Sequence, residues 1–133
     1  MKTKTLLFIL SAMIFFSLAA TSQSLTFCEK VDASGNPVNP NTVFSVKQNG
    51  SPISFFYILP TGYNGASVNF DIYKIDENKE VFHSTMKQAV NPAQKSVSKQ
   101  MTFYDAGKYR IYVFDEKDQQ LAKSDLVIKK SPH

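Results

Sequence analysis

The chain has little of the chemistry from which most active sites are built. Its 133 residues include one cysteine, two histidines and no tryptophan. A zinc site needs several histidine or cysteine ligands, and a serine or cysteine nucleophile usually needs a histidine base. The motifs G-x-S-x-G, H-E-x-x-H and C-x-x-C are absent. We therefore predict no catalytic residue, no metal and no cofactor, and a small hydrolase acting through His83 is the least favoured alternative.

A single cysteine, Cys28, also excludes an internal disulfide, so the stability of the fold must come from packing. The favoured interpretation of Cys28 is a buried or half-buried thiol in the first strand, where cysteine behaves as a small apolar residue. An intermolecular disulfide is a second interpretation. Lipid modification is a third, because the residues 25–28 superficially resemble a bacterial lipobox. Phe27 argues against it, since the lipobox takes a small residue before the cysteine.

Long apolar runs are missing except at the N-terminus. Residues 6–20 are largely apolar, follow Lys2 and Lys4, and precede small and polar residues. The run is shorter than the roughly 20 residues that span a bilayer, and the whole pattern is typical of a cleavable secretory signal peptide. We predict a signal peptide at residues 1–22 and one domain at residues 23–133, located in the periplasm, at the cell surface or outside the cell. An uncleaved membrane anchor is the competing interpretation.

Charge of one sign is not concentrated anywhere in the predicted domain. Loss of Lys2 and Lys4 with the leader lowers the formal net charge from +4 to +2. The remaining lysines are scattered among acidic residues, apart from Lys129 and Lys130. This distribution gives no basis for nucleic acid binding, and no second apolar run predicts a membrane span after cleavage.

Alternation of apolar and polar residues dominates the sequence after residue 24, and turn residues interrupt it at regular intervals. This period of two is typical of strands. Asn49 and Gly50 form the pair that most favours a two-residue hairpin turn of type I′. The spacing predicts an all-β protein, an antiparallel β-sandwich of about seven or eight strands. The predicted strands are 25–28, 43–47, 53–59, 68–72, 80–90, 97–103, 108–114 and 121–129.

One short segment resembles a known structural motif. Asp105, Gly107, Tyr109 and Ile111 follow the D-x-G-x-Y-x-C pattern of the tyrosine corner in immunoglobulin-like domains, with isoleucine in place of the cysteine. The resemblance implies an immunoglobulin-like or fibronectin-like sandwich, such as the small secreted domains of bacterial envelopes. It implies that the Tyr109 hydroxyl bonds back to the main chain. It implies a fold and no particular function.

The corner interpretation turns Tyr109 inward and therefore Arg110, Tyr112 and Phe114 outward. Exposed aromatic residues beside an arginine are enriched at protein interfaces. Tyr63, in a glycine-containing loop, is a further candidate contact. We expect a protein-interaction or adhesion module, unless a neighbouring sheet or loop covers these residues. The alternative is a carbohydrate-binding module with a polysaccharide partner, which the lack of tryptophan disfavours. The oligomeric state stays open.

Two acidic turns, residues 76–78 and 115–118, offer oxygen atoms of the kind that bind calcium. Short polar turns between strands commonly have this composition, and neither segment fits the EF-hand spacing. Calcium binding therefore remains an open alternative.

Overall fold

The computed structural model describes residues 24–132. These residues form ten β-strands, joined by turns and loops, and contain no helix. The predicted signal peptide, residues 1–22, lies outside these residues. No helix that is long and apolar enough to cross a membrane occurs among them. The strands are β1 (Leu25–Cys28), β2 (Lys30–Val31), β3 (Pro37–Val38), β4 (Val43–Val46), β5 (Ser51–Ile58), β6 (Ser67–Asp76), β7 (Lys79–Ala89), β8 (Ser96–Phe103), β9 (Gly107–Phe114) and β10 (Gln120–Lys130).

Two sheets form the sandwich. One has three strands in the order β1-β5-β8, and the other has five in the order β4-β10-β9-β6-β7. All pairs in the sheets are antiparallel except β4 with β10, which run parallel. The short strands β2 and β3 pair only with each other in a two-stranded sheet. The prediction of an antiparallel β-sandwich with about seven or eight strands is confirmed, since these two sheets together hold eight.

The core lies between the two sheets and is centred on Phe55 of β5. Its ring lies 5.5 Å from that of Phe27, 5.8 Å from that of Phe70 and 6.2 Å from that of Phe103, so both sheets contribute to this cluster. Residues 53–57 are all buried, as expected for a strand that is apolar on both faces and lies in the middle of its sheet. These buried rings contribute a large apolar area to the stability of a domain that has no internal disulfide, since its single cysteine is free.

The predicted hairpin at Asn49 and Gly50 is wrong. The strands on either side of it, β4 and β5, lie in different sheets. The Gly50 amide donates to the Lys47 carbonyl at 2.9 Å, and only Gly50 of the pair has a positive φ, at 93°. The turn therefore carries the chain across the sandwich. The two-residue hairpin is instead at Glu77 and Asn78, whose φ angles of 49° and 66° match a type I′ turn between β6 and β7.

A β-bulge in β7 overturns one face assignment. Strict alternation places His83 on the same face as Val81 and Thr85. In the structure, Ile72 stands opposite Ser84 and Tyr73 opposite Phe82, so His83 is an extra residue in the ladder. The alternation therefore reverses at His83. Val81 and Ser84 share the inner face of the sheet, whereas Phe82 and Thr85 share the outer face.

Candidate functional site

The three residues of the predicted tyrosine corner lie together where the chain enters β9. The Tyr109 hydroxyl donates to the Asp105 carbonyl oxygen at 3.0 Å. The Tyr109 ring is 2% exposed and meets the Phe103 ring edge-on at 5.0 Å. Gly107 has a φ of 152°, and a Cβ atom there would lie 2.9 Å from Lys74 Cε. Burial raises the pKa of Tyr109, so its hydroxyl keeps the proton that it donates.

The next residues of β9 point alternately to the two faces of the sheet. Tyr109, Ile111 and Val113 are buried in the core. Arg110 and Tyr112 lie between them on the outer face and are half-buried, as is Phe114 at the end of the strand. The structure thus places three of the four candidate contact residues in one line on the outside of the five-stranded sheet.

Arg110 is held by two carboxylates, Asp125 on the neighbouring strand β10 and Glu80 on β7, two strands away. Its Nε donates to Asp125 Oδ1 at 2.7 Å and its Nη2 to Asp125 Oδ2 at 3.1 Å. Its Nη1 donates to Glu80 Oε1 at 3.0 Å, and the Tyr112 hydroxyl donates to the same oxygen. Arg110 therefore links β7 to β10 across the sheet, and three of its N–H groups are engaged within the domain.

These contacts shift the pKa of each partner. Hydrogen bonds from Arg110 hold the pKa of Asp125 below its usual value, and the hydrogen bond from Tyr112 does the same for Glu80. Burial, with the acidic neighbour Glu80 as a further cause, raises the pKa of Tyr112 to about 12. Both carboxylates are therefore ionised and Tyr112 is protonated at neutral pH, which is the state that this network requires.

Four aromatic rings from three adjacent strands form a row on the same outer face. Phe82 lies 5.7 Å from Tyr73 with the ring planes at 77°, and Tyr73 lies 5.5 Å from Tyr112 at 89°. Tyr112 stacks on Phe114 at 5.9 Å and 28°. We call Phe82, Tyr73, Tyr112 and Phe114 the aromatic row. Sequence reasoning missed its first two members, because the bulge at His83 conceals the face of Phe82 and the strand order brings Tyr73 beside Tyr112.

Tyr63, the fourth candidate contact, is anchored inside its own loop. Its hydroxyl donates to the Ser67 carbonyl at 2.6 Å, and its ring packs against the edge of the core. The loop is fixed further by the Ala66 amide, which donates to Glu116 Oε1 at 2.7 Å. Tyr63 thus closes a loop at one end of the sandwich and does not join the aromatic row.

Cys28 is fully buried in β1, and its Sγ lies 3.8 Å from the Ser54 carbonyl oxygen. Burial raises the pKa of the thiol. This environment is that of a packed apolar side chain. An intermolecular disulfide would require the buried Cys28 side chain to become exposed. Lipid modification would make Cys28 the first residue of the processed chain and so remove Leu25–Phe27, three of the four residues of β1.

The acidic turn at residues 115–118 uses a carboxylate to order the main chain. Asp115 Oδ1 accepts hydrogen bonds from the amides of Lys117 at 2.8 Å and Gln119 at 2.9 Å. Residues 24–132 contain no cluster of three or more His, Cys, Asp or Glu side chains placed to hold a metal ion. His83, the residue considered for hydrolysis, lies with its ring 5.7 Å from that of Tyr109.

Comparison with known proteins gives information on the fold alone. No protein-family model matches the chain, and no curated protein matches its sequence. An immunoglobulin-like protein from Pseudomonas aeruginosa aligns with a TM-score of 0.54 and 14% identity, over 79% of this chain and 91% of that one. Two structures of superoxide reductase (neelaredoxin) from Ignicoccus hospitalis align with TM-scores of 0.43 and 0.41 and identities of 13% and 12%, over 81% and 82% of this chain and 82% and 85% of theirs. These last two values are too low to indicate a shared fold. The chain has the immunoglobulin-like β-sandwich fold that its corner segment resembles.

Proposed function

We propose that the protein is an exported, non-enzymatic module that binds another protein through the aromatic row. The observation that carries this proposal is the placement of four rings from three adjacent strands on one outer face, with Phe82 57% exposed. Aromatic side chains are enriched at protein interfaces, where they contribute a large contact area at low entropic cost. The signal-peptide pattern at residues 1–22 supports the assignment to an extracytoplasmic location.

The row is fixed before any partner arrives. Glu80 holds the Tyr112 hydroxyl, and Arg110 holds Glu80 and Asp125. The rings also support one another, because Tyr73 meets both Phe82 and Tyr112. A surface that is already ordered loses less conformational entropy on binding, which favours affinity.

The ring orientations favour a protein partner over a polysaccharide. Sugar rings stack on open, flat aromatic faces. Tyr73 stands nearly perpendicular to both of its neighbours, and one face of Tyr112 lies against Phe114. The row therefore presents an uneven surface of ring edges, which suits interdigitation with protein side chains.

Affinity capture with paired variants tests this proposal. The processed chain is immobilised and exposed to extract from its own native envelope, and bound proteins are identified by mass spectrometry. Phe82→Ser removes the exposed ring of the row. Ile58→Ser is the matched control, because Ile58 is 53% exposed on the other sheet. We expect a partner that wild type and Ile58→Ser retain, and that binds Phe82→Ser at least about tenfold more weakly, as for interface hot spots.

The double variant Tyr112→Ser with Phe114→Ser extends the test to the centre of the row, with circular dichroism as the check on folding. Unchanged capture by both row variants would contradict the proposal. Retention of the wild type on polysaccharide columns, lost in the same variants, would replace it by carbohydrate binding.

A further inference from the structure

The free edges of the two sheets differ in how well they resist pairing with another strand. Strands β1 and β4 are short, with four residues each. On β8, Lys99 stands opposite Phe55 on the inner face and is half-buried, as the alternation of that strand predicts. An inward charge on an edge strand disfavours strand addition. Strand β7 has 11 residues and pairs with β6 alone among the described strands.

The edge strand β7 exposes large apolar side chains. Val81 is 52% exposed on the inner face and Phe82 is 57% exposed on the outer face. The inner face has one lysine, Lys79, at the exposed hairpin end of the strand, and beyond the bulge the inner-facing residues are uncharged: Ser84, Met86 and Gln88. Apolar side chains on both faces of a long edge strand are typical of an edge that another strand covers.

We propose that β7 pairs antiparallel with β7 of a second copy of this chain, which joins two five-stranded sheets into one continuous sheet. This inference does not rest on the proposed partner of the aromatic row, although Phe82 and Glu80 belong to both surfaces. Its basis is the bulge. In a continuous sheet, outer-facing residues must stand opposite outer-facing residues, and the extra residue at His83 reverses the alternation. A face-matched pairing that uses both halves of the strand, before and after the bulge, is therefore centred close to His83.

One such register also matches charge. With the two-fold axis between His83 and Ser84, Glu80 stands opposite Lys87 of the second copy on the outer face, and Phe82 opposite Thr85. On the inner face Val81 stands opposite Met86. Both hydrogen bonds that Glu80 accepts end on Oε1, which leaves Oε2 for the ammonium group of Lys87. The Glu80–Lys87 pair occurs twice across the axis, so unlike charges select this register.

The experiment measures self-association by sedimentation equilibrium of the processed chain from low micromolar to millimolar concentration. Lys87→Glu places two acidic residues opposite each other at both symmetric positions. Lys79→Glu is the matched control, since it makes the same charge change on the same strand opposite Gln88. We expect a dimer for wild type and for Lys79→Glu, and a dissociation constant at least about tenfold higher for Lys87→Glu. Hydrogen exchange should show β7 amides becoming protected as concentration rises.

Three outcomes would overturn the inference: a monomer at every concentration, a dimer that both lysine variants affect equally, or concentration-dependent protection confined to strands other than β7. Circular dichroism of both variants excludes loss of folding as the cause. Capture of a partner through the aromatic row should persist in Lys87→Glu, so failure of the dimer and failure of the proposed function are distinguishable.

Discussion

Replacing Tyr109 by phenylalanine removes one hydroxyl group and leaves the buried ring in its contacts with Phe103. The lost interaction is the 3.0 Å hydrogen bond to the Asp105 carbonyl. A neutral hydrogen bond contributes about 0.5–1.5 kcal/mol net to stability. Asp105 is exposed, so water can take over its carbonyl in the variant. We therefore expect the free energy of unfolding to fall by about 1 kcal/mol, within that range, and the melting temperature by about 4 °C.

Urea unfolding followed by circular dichroism measures this change. Tyr104→Phe is the matched control, because Tyr104 is 58% exposed and no hydrogen bond of its hydroxyl is present among the described residues. Its free energy of unfolding should stay within about 0.5 kcal/mol of wild type, as for most surface substitutions. An equal effect of the two substitutions would refute the reasoning that the corner bond stabilises the sandwich.

Two further predictions concern Arg110 and Cys28. Arg110 lowers the pKa of Asp125, and the Tyr112 hydroxyl together with Arg110 lowers the pKa of Glu80. These carboxylates therefore stabilise the fold above their unfolded pKa values of about 4, and the stability is lost as pH falls through the lower folded values. Arg110→Ala should therefore make stability, measured as the urea midpoint, depend less steeply on pH in the acid range. Lys108→Ala should have a smaller effect, because the Lys108 side chain is half exposed and its Nζ lies 3.4 Å from Asp125. Equal pH profiles for Arg110→Ala and wild type would contradict the prediction. The thiol of Cys28 is buried and its pKa is raised, so we expect it to react with a thiol reagent only as fast as the protein unfolds, and faster when urea is added. Rapid labelling of the native protein would contradict this and show that β1 opens readily.

The inner faces of the strands were predictable because alternation is a local property. Val68, Phe70 and Ile72 of β6 are buried as expected, and so are Tyr109 and Ile111 of β9. The face to which a side chain points follows from the residues two positions before and after it, and burial of the apolar residues keeps that face toward the core. The same holds for the outward direction of the polar and aromatic residues between them.

Strand partners were not predictable in this way. The pair Asn49 and Gly50 satisfies the local preference of a hairpin, yet Val46 is buried in one sheet and Ile53 in the other. The turn obeys tertiary packing, which outweighs its local propensity. The bulge at His83 has the same character, because an extra residue is visible only against its partner strand β6.

Some features of the candidate site follow from local alternation, and others follow from the strand order. Sequence alone indicated that Tyr112 and Phe114 point outward. That Tyr73 and Phe82 complete the row depends on the order β9-β6-β7. Arg110 was predicted to be an outward-facing contact residue, and the strand order adds what sequence could not indicate, because it brings Glu80 and Asp125 to the guanidinium group.

The parallel pairing of β4 with β10 bears on how the chain reaches its native state. Strand β10, near the end of the sequence, lies inside its sheet between β4 and β9. Until Gln120–Lys130 has left the ribosome or a translocation channel, β4 has no neighbour in that sheet and β9 lacks one of its two. Folding is therefore delayed until synthesis of the domain is almost complete, since contacts so distant in sequence form slowly. A polypeptide that stays open for that long is a suitable substrate for transport machinery that accepts only unfolded chains.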